Sequence, residues 1–421
     1  MFIHLDLDSF FVSAHRSIDK SLENIPAAVG GRSNLNIFDK QKAIRHISNS
    51  SGAFVSSILS SNDNTSSKEY FVDENGKIRG IITTSSYEAR AYGVKTAMSV
   101  NEALSLCPHL KMIPPNYPLY HDLSHKLAIL LRDKIPYLEQ FSIDEFFGDV
   151  TGWIEDEDIF EFAKSLQIQI QTELGLPISI GIAKTKWIAK LATEYAKPVG
   201  IKIVHENEVG AFIKDIPISK FPGIGKGYQV RLKSYGISTL GQIKDKRELF
   251  YSWKKPGIQL YNRVCGIERE KISLEKSKKS IGIGRTFDPL HSREELKRRV
   301  TILCRYLSFL VIKAKVNPQT FSINIRYEYN IKSNDYINTN RLFNEAYFKK
   351  MMLELFDKND NHKTHNVIQL NLTVSNFLEN KLSSLNLFEY ENDLKESKLT
   401  LGIQKLRTKF GIDIIKNASE L

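Results

Sequence analysis

The stretch Phe141–Val150 reads FSIDEFFGDV and places two adjacent acids, Asp144 and Glu145, in a run of apolar, aromatic and β-branched residues. Such a run is typical of a buried strand. Burial of ionised carboxylates costs free energy unless a cation neutralises them, and two neighbouring acids repel each other unless a metal ion lies between them. The sequence therefore predicts a Mg²⁺ site at this stretch.

The N-terminal stretch Met1–Phe11, MFIHLDLDSFF, has the same character. Alternation along a strand sends Asp6 and Asp8 to one face and the intervening apolar residues to the other. If the two stretches form neighbouring strands, Asp6 meets the two acids of the first stretch in a cluster of oxygen ligands. Such a cluster suits a hard, octahedral cation that holds substrate phosphates, and a two-metal nucleotidyl transfer site is our hypothesis.

A simpler explanation remains open for each stretch alone, because an acid at a strand end is as often a solvated turn residue as a ligand. On a straight strand, Asp144 and Glu145 would also point to opposite faces. Both can serve one site only if they lie at a hairpin tip or a bend. This geometric requirement can be checked in a structure.

Composition restricts the class of protein. A length of 421 residues predicts two to four domains. The chain has 59 Lys and Arg against 48 Asp and Glu, a net charge of +11. This charge favours nucleic acid as a partner over an anionic membrane surface. No run approaches the about 18 apolar residues of a spanning helix, and no secretion signal is evident, so we expect a soluble, cytoplasmic protein. Cys107, Cys265 and Cys304 are isolated, which predicts core thiols.

The first 204 residues give a predicted order of elements, βαββαβ. Two βαβ-like halves with an antiparallel centre predict a ferredoxin-like sheet, the fold in which many polymerase palms are built. Between Arg32 and Lys77 the chain is rich in Ser and Asn, which indicates an insertion or loop without assigned chemistry. Tyr87 and Arg90 share one face of a predicted helix, where a hydroxyl and a guanidinium suit a phosphate; a surface Arg beside a packed Tyr is the alternative.

The second half carries a helix-hairpin-helix pattern at FPGIGKG. Gly223 and Gly225 would let backbone N–H groups approach a DNA phosphate at the N-terminus of a helix that starts with Lys226. A basic linker and an α+β module follow, whose basic strands suit a duplex backbone or, alternatively, form a solvated charged surface. In the tail, three apolar anchors flanked by polar residues resemble a docking peptide or pack back on the last module: Leu385, Leu387 and Phe388.

With these residues in hand, the chain resembles the Y family of DNA polymerases, the translesion enzymes of the DinB and UmuC type. Six motifs occur in the family's order: LDLDSFF, SSYEARAYGVK, SIDEFFGDV, SIGIAKTKWIAKLATEYAKPVG, FPGIGKG and KSIGIGRTF. The resemblance implies an α+β multidomain right-hand polymerase with a ferredoxin-like palm, small fingers, a helix-hairpin-helix thumb and an α+β little finger. The implied divisions are palm 1–10 and 116–204, fingers 11–115 with an insertion at 32–79, thumb 205–270, linker 271–279, little finger 280–378 and tail 379–421.

The resemblance also implies site residues. Asp6, Asp144 and Glu145 match the carboxylates that bind two Mg²⁺ ions, and the backbone carbonyl of Leu7 matches a further ligand. Phe11 matches the steric gate, the aromatic residue that packs under the sugar and clashes with a ribose 2′-hydroxyl. Four positions match residues that hold the triphosphate of the incoming nucleotide: Thr84, Tyr87, Arg90 and Lys197.

The tail segment 385–388 is similar to the family's sliding-clamp peptide, although Ser384 stands where that peptide usually starts with Gln. The implied function is template-directed translesion DNA synthesis by a monomer acting on primer–template DNA and dNTP, with low fidelity and no proofreading. Two alternatives stay open at this point. One is a non-catalytic DNA-binding or clamp-docking factor with the same shape, and the other is a nucleotide cyclase, which shares a palm with paired acids.

Overall fold

The computed structural model describes residues 1–33, 35–39, 70–73, 76–268, 270–274, 278–378, 386 and 388–420. Most of the predicted insertion, part of the linker and two of the three tail anchors, Leu385 and Leu387, therefore lie outside the described residues. The chain divides into two compact units, one formed by residues 1–31 and 66–276 and the other by residues 32–65 and 277–421.

The described strands and helices are interspersed along the chain in both units. The strands are β1 (Phe2–Leu7), β2 (Ala27–Gly31), β3 (Ile81–Ser85), β4 (Lys111–Ile113), β5 (Tyr137–Gln140), β6 (Glu145–Asp149), β7 (Ile178–Ala183), β8 (Ile201–Val204), β9 (Ser280–Leu290), β10 (Pro318–Tyr327), β11 (Lys332–Asn338) and β12 (Val367–Phe377). The helices are α1 (Phe10–Ile18), α2 (Tyr87–Ala91), α3 (Val100–Leu106), α4 (Tyr117–Lys134), α5 (Ile159–Leu174), α6 (Lys186–Ala196), α7 (Val209–Ile213), α8 (Lys226–Ser234), α9 (Gly241–Lys244), α10 (Arg247–Ser252), α11 (Lys254–Cys265), α12 (Arg293–Lys313), α13 (Glu345–Asn359) and α14 (Tyr390–Phe410).

The central sheet of the first unit has the strand order β5-β6-β1-β7-β8. Strand β1 runs antiparallel to both of its neighbours, β6 and β7, and β8 runs parallel to β7. The first four strands of this sheet have the order and directions of a βαββαβ unit, so the predicted ferredoxin-like sheet is confirmed. The β7–α6–β8 crossover adds a fifth strand that the sequence pattern did not predict.

Helix α6 lies between this sheet and the helical segment α7–α11. Its residues Ile188 and Leu191 share one apolar core with Val204 of the sheet and with Phe250 and Leu260 of the helical segment. Burial of these side chains removes apolar area from water on both sides of α6. A separate small sheet, β3-β2-β4, packs against α2 and α3 in the same unit.

Gly181 in β7 permits the close approach of α6 to the sheet. A Cβ atom at this position would lie 2.2 Å from the carbonyl oxygen of Ala189 and 2.4 Å from the backbone nitrogen of Thr193. Because both atoms belong to the backbone, neither can move without displacing the helix. Gly181→Ala is therefore expected to lower the free energy of unfolding of the first unit by about 3 kcal/mol.

Tryptophan fluorescence measures this effect, because Trp153, Trp187 and Trp253, the three tryptophans of the chain, all lie in the first unit. Gly402→Ala is the matched control, since Gly402 lies within α14 and a Cβ there would meet nothing within 4 Å. Because α14 belongs to the second unit, which contains no tryptophan, the Gly402 variant should keep the tryptophan midpoint of the original protein. Equal urea midpoints of the tryptophan signal for the two variants would contradict the packing argument.

The second unit contains the antiparallel sheet β11-β10-β12-β9. Helices α12 and α13 cover one face of it, and alternate residues of β10, such as Phe321 and Ile323, point into this core. Ile37 and Phe38 are part of the same core, and the Phe38 ring meets the Phe287 ring edge-on at 6.1 Å between centroids. The structure here differs from the expected assignment of residues 11–115 to the fingers, because two adjacent apolar residues in a polar segment pack against the core of the second unit.

The C-terminal helix α14 packs against α12 and α13 of the second unit, where Gln404 donates to the carbonyl oxygen of Phe309 and Arg407 pairs with Glu345. The helix begins at Tyr390. Its first turn is held by Asp393, which is buried and forms a bidentate ion pair with Arg341.

Of the three cysteines, Cys107 and Cys304 are buried and Cys265 is partly buried. Among the described helices, none combines the length and the apolar character needed to cross a membrane.

Candidate active site

The two acidic stretches meet at the centre of the five-stranded sheet. Asp6 of β1 lies directly opposite Glu145 of β6, and the backbone N–H of Leu7 donates to the carbonyl oxygen of Asp144 at 3.1 Å. Asp144 lies in the turn that joins β5 to β6, and Glu145 is the first residue of β6. The hairpin-tip requirement is therefore met, and three carboxylates from distant parts of the chain are neighbours.

The three acids of this cluster are shielded from solvent, since Asp6 is buried and Asp144 and Glu145 are partly buried. Asp6 is 6% exposed, and its burial raises the pKa of its carboxyl. Lys197 opposes this rise, whereas Asp144 and Glu145 add to it. Burial also raises the pKa of Asp144, while a hydrogen bond from the Ser142 hydroxyl opposes that rise. Both shifts have the direction expected when carboxylates crowd together, and a bound cation would relieve them.

Lysines from α6 and the residues after it neutralise these acids. The Nζ atom of Lys197 donates to Oδ2 of Asp6 at 2.9 Å, and Lys190 forms an ion pair with Glu145. Although burial opposes the effect, Asp6 and Glu194 raise the pKa of Lys197 above its ordinary value. The sequence reasoning identified Lys197 by resemblance but missed Lys190, whose spacing of seven residues from Lys197 was the available signal.

The donor atoms of this cluster suit a hard divalent cation. Three carboxylates and the adjacent carbonyl of Leu7 are oxygen ligands of the kind that Mg²⁺ prefers. Across the described residues, however, no three Asp, Glu, His or Cys side chains are already arranged as a metal cage. In the structure, the carboxylates of Asp6 and Glu145 form ion pairs with Lys197 and Lys190.

Asp8 connects three elements of the first unit. Its Oδ1 atom accepts a hydrogen bond from the Tyr87 hydroxyl at 2.8 Å, and its Oδ2 atom accepts from the Ser179 hydroxyl at 2.7 Å and from the Val199 N–H at 2.8 Å. The sequence placed Asp8 on one strand face with Asp6, but β1 ends at Leu7 and Asp8 lies in the following turn. The sequence reasoning gave Asp8 no role; the lone Ser179 in an otherwise apolar strand was the available signal.

The predicted phosphate-binding residues lie close to this centre. Tyr87 begins α2, and burial, reinforced by Asp8, raises the pKa of its hydroxyl, which therefore stays protonated at neutral pH. The guanidinium of Arg90 lies 4.6 Å from the centroid of the Tyr87 ring, and its Nε atom donates to the carbonyl oxygen of Ser85. Arg90 is exposed, and Thr84 on the neighbouring strand β3 is partly buried.

Phe11 lies in α1, just after β1, and its ring packs against aromatic rings of α4. Its ring stacks on that of Tyr120 at 4.3 Å between centroids and 15° between planes, and Tyr117 meets it edge-on at 6.5 Å. The hydroxyl of Tyr120 and Nε2 of His15 are 2.8 Å apart, so the supporting ring is itself held in place. The Phe11 side chain is partly exposed and its orientation is fixed.

The helix-hairpin-helix residues lie at the start of α8. Gly225 is the N-cap residue of this helix, and Gly223 adopts a left-handed backbone with φ of +94°. Nothing lies within 4 Å of a Cβ atom built on either glycine, and Lys226 is exposed. The first N–H groups of α8 are thus accessible to an anion.

In the tail, Phe388 is the described residue among the three predicted apolar anchors, and it is 99% exposed.

Comparison with known proteins identifies the family. Residues 5–194 match the model of the impB/mucB/samB family, and residues 278–387 match the model of that family's C-terminal domain. A protein of Oceanobacillus iheyensis named DNA polymerase IV is 33% identical over 357 residues, which cover 81% of this chain and 84% of that protein. The chain belongs to the DinB-type Y family of DNA polymerases.

Other members of the Y family agree with this assignment. A DNA polymerase IV of Bacillus velezensis is 28% identical over 425 residues, which cover 99% of this chain and 92% of that protein. Among solved structures, a Y-family polymerase chimera of Dbh and Dpo4 has a TM-score of 0.69 at 22% identity, with 90% of this chain and 99% of that chain covered. The insertion ternary complex of Dbh DNA polymerase has a TM-score of 0.57 with the same identity and coverage.

Membership of the Y family decides several points that the sequence left open. The chain is a DNA-directed DNA polymerase, a nucleotidyltransferase of the translesion class, and the predicted right-hand fold is confirmed. The nucleotide cyclase alternative is not supported by any of these relatives. Y-family polymerases use divalent metal ions, which agrees with the oxygen donors at Asp6, Asp144 and Glu145.

Proposed function

We propose that this polymerase extends a primer opposite damaged template DNA by two-metal-ion nucleotidyl transfer, with low fidelity and without proofreading. The supporting observation is the meeting of Asp6, Asp144 and Glu145 at the junction of β1 and β6. When bound there, two Mg²⁺ ions would activate the primer 3′-hydroxyl and neutralise the charge of the leaving pyrophosphate. The carboxylates and the Leu7 carbonyl would hold these ions.

The other residues of the site bind and select the incoming dNTP. Lys197 places positive charge beside Asp6 of the carboxylate cluster, and it would bind the triphosphate of the dNTP together with Arg90, whose guanidinium lies against the Tyr87 ring. Tyr87 at the start of α2 and Thr84 near the end of β3 would contact the same triphosphate. Phe11 forms a rigid wall that would pack under the sugar of the nucleotide.

DNA and protein partners would use surfaces outside the carboxylate cluster. The accessible N–H groups at Gly223 and Gly225, together with Lys226, would bind a phosphate of the primer–template backbone without reading its bases. The net charge of +11 favours such binding. The exposed Phe388 ring would insert into a partner such as the replicative sliding clamp, to which the protein would bind as a monomer.

Primer extension tests the proposal directly. The purified protein, Mg²⁺, the four dNTPs and a primer–template with one abasic or bulky lesion should give products that continue past the lesion. A template without damage gives the reference rate, and omission of Mg²⁺ should stop synthesis. Failure to extend either template would refute the proposed activity.

Phe11→Ala tests the assignment of the steric gate. Removal of the ring opens the space in which a ribose 2′-hydroxyl would otherwise clash, so the ratio of ribonucleotide to deoxynucleotide incorporation should rise on the order of 100-fold. The measurement is single-nucleotide incorporation of rNTP and dNTP opposite the same template base. Phe160→Ala, at an exposed position of α5, is the matched control and should leave the ratio unchanged. If the ratio of ribonucleotide to deoxynucleotide incorporation is unchanged in the Phe11→Ala variant, Phe11 is not the steric gate.

A further inference from the structure

Asp8 is a buried carboxylate that the proposed chemistry does not use. The residue is 2% exposed, and three donors surround it: the hydroxyl of Tyr87, the hydroxyl of Ser179 and the N–H of Val199. These donors come from α2, from β7 and from the loop between α6 and β8. One side chain therefore joins three elements that surround the proposed triphosphate site.

The hydrogen bond to Tyr87 limits what the tyrosine can do. A phenol has one hydrogen to donate, and Tyr87 donates it to Oδ1 of Asp8 at 2.8 Å. A phosphate oxygen offers only acceptor atoms, so it could bond the Tyr87 hydroxyl only after the bond to Asp8 breaks. In this arrangement Tyr87 is fixed by Asp8, and its ring supports the guanidinium of Arg90.

The loop after Lys197 depends on Asp8 in a similar way. Val199 adopts φ of +50°, a left-handed conformation that β-branched residues rarely adopt. Such a conformation persists only where the surroundings impose it, and here the Val199 N–H donates to Oδ2 of Asp8 at 2.8 Å. Two residues earlier in the same loop, Lys197 reaches the carboxylate of Asp6.

We infer that Asp8 is a positioning residue for the triphosphate site, which acts by holding Tyr87 and the loop of Lys197 in place. This inference rests on the proposed function, because the group that the site receives is the triphosphate of a dNTP. Asp8 is not a catalytic residue in this scheme. Both of its oxygen atoms are occupied by protein donors, and it acts on the nucleotide through Tyr87, Arg90 and Lys197.

Asp8→Asn is the first test. Asparagine keeps the size of the side chain but replaces one acceptor oxygen with an NH₂ group, so at least one of the three donors would face another donor. The measurement is the equilibrium affinity for dNTP of the protein bound to a primer–template whose primer lacks a 3′-hydroxyl, followed by a fluorescent template base. Without that hydroxyl no bond can form, so the readout is binding alone. We expect the Kd for dNTP to rise about tenfold, or about 1.4 kcal/mol, and the Kd for primer–template to stay unchanged.

Ser179→Ala distinguishes positioning from direct contact. The Ser179 side chain is fully buried, so it cannot touch a nucleotide, and its hydroxyl donates to Asp8. We expect this variant to raise the Kd for dNTP about threefold. Asp149→Asn is the matched control for Asp8→Asn, because Asp149 lies at the opposite end of β6 from Glu145 and accepts hydrogen bonds from Thr151. The control should leave both affinities unchanged.

Tyr87→Phe completes a double-mutant cycle with Asp8→Asn. If Asp8 acts through Tyr87, the two substitutions together should weaken dNTP binding by less than the product of their separate effects. Multiplicative effects, or a dNTP affinity that is unchanged or higher in Asp8→Asn, would overturn the inference, since a freed Tyr87 hydroxyl would then be the better phosphate donor. Should Asp8→Asn fail to fold by tryptophan fluorescence, the Ser179 and Tyr87 variants decide alone. Absence of dNTP binding by the unsubstituted protein would instead refute the proposed function.

Discussion

Asp144→Ala is expected to lower the rate of nucleotide incorporation by about 1,000-fold or more while the affinity for primer–template stays within about twofold. Asp144 and Asp6 lie side by side where β1 meets the β5–β6 turn, and burial raises the pKa of both carboxyl groups. Loss of one of three carboxylates leaves too few oxygen ligands for two divalent ions. The chemical step then loses its charge neutralisation.

The Asp144→Ala variant should keep its affinity for DNA, because the groups that would bind the duplex backbone are not part of the carboxylate cluster. The glycines of the helix-hairpin-helix precede α8, whereas Asp144 belongs to the β5–β6 turn. Single-turnover extension at saturating dNTP gives the incorporation rate, and fluorescence anisotropy of a labelled primer–template gives the affinity. These two readouts separate a lost chemical step from lost binding.

Asp149→Ala is the matched control for this experiment. Asp149 is an acid of the same hairpin, at the far end of β6, and its carboxylate only caps the turn at Thr151. We expect the incorporation rate of this variant to stay within about twofold. An Asp144→Ala variant that synthesises DNA at a rate comparable to the Asp149→Ala variant would exclude the two-metal proposal.

The sequence predicted the parts of this site that local patterns encode. Two acids in an apolar run and two on a short strand predicted Asp6, Asp144 and Glu145 as neighbours, and the structure places them together. Alternation and helical spacing also predicted the ferredoxin-like sheet. These features depend on nearby residues and on the two periodicities of regular structure, which can be read without coordinates.

Contacts between distant segments could not be predicted in this way. Asp8 bonds Ser179 across 171 positions, and Lys190 bonds Glu145 across 45 positions. Ile37 and Phe38 pack in the core of the second unit because that core offers apolar partners, although the surrounding sequence is polar. In each case a tertiary contact assigns the residue its role, and the local pattern fits several roles equally well.

Tertiary contacts also hold the C-terminal residues, and these contacts determine the stability of the second unit. Helix α14 and the residues after it are held by buried ion pairs that join them to α12 and α13. Arg305 of α12 is 1% exposed and pairs with Asp413 and with Glu420, whose side chain is fully buried. The Nη1 atom of Arg305 also donates to the carbonyl oxygen of Ile412 at 2.9 Å. A single guanidinium thus neutralises two buried carboxylates.

Arg305→Met is therefore expected to destabilise the second unit by about 3–5 kcal/mol, because two buried carboxylates lose the guanidinium that pairs with both. Lys349 still contacts Glu420 at 3.2 Å, and the Tyr306 hydroxyl still donates to Asp413 at 3.1 Å, but a neutral hydroxyl does not replace the lost positive charge. The second unit contains no tryptophan, so its unfolding is followed by hydrogen exchange of the α12 and α13 amides. The tryptophan signal of the first unit should keep its midpoint.

Two further variants separate the charge effect from simple loss of packing. Lys297 lies on α12, as Arg305 does, and Lys297→Met breaks an exposed ion pair with Asp357 of α13, which should cost less than about 1 kcal/mol. Combining Arg305→Met with Asp413→Asn and Glu420→Gln removes the stranded charges and should recover a large part of the lost stability. If the triple variant is no more stable than Arg305→Met alone, the guanidinium stabilises the tail by packing, and the electrostatic explanation of how α14 is held is wrong.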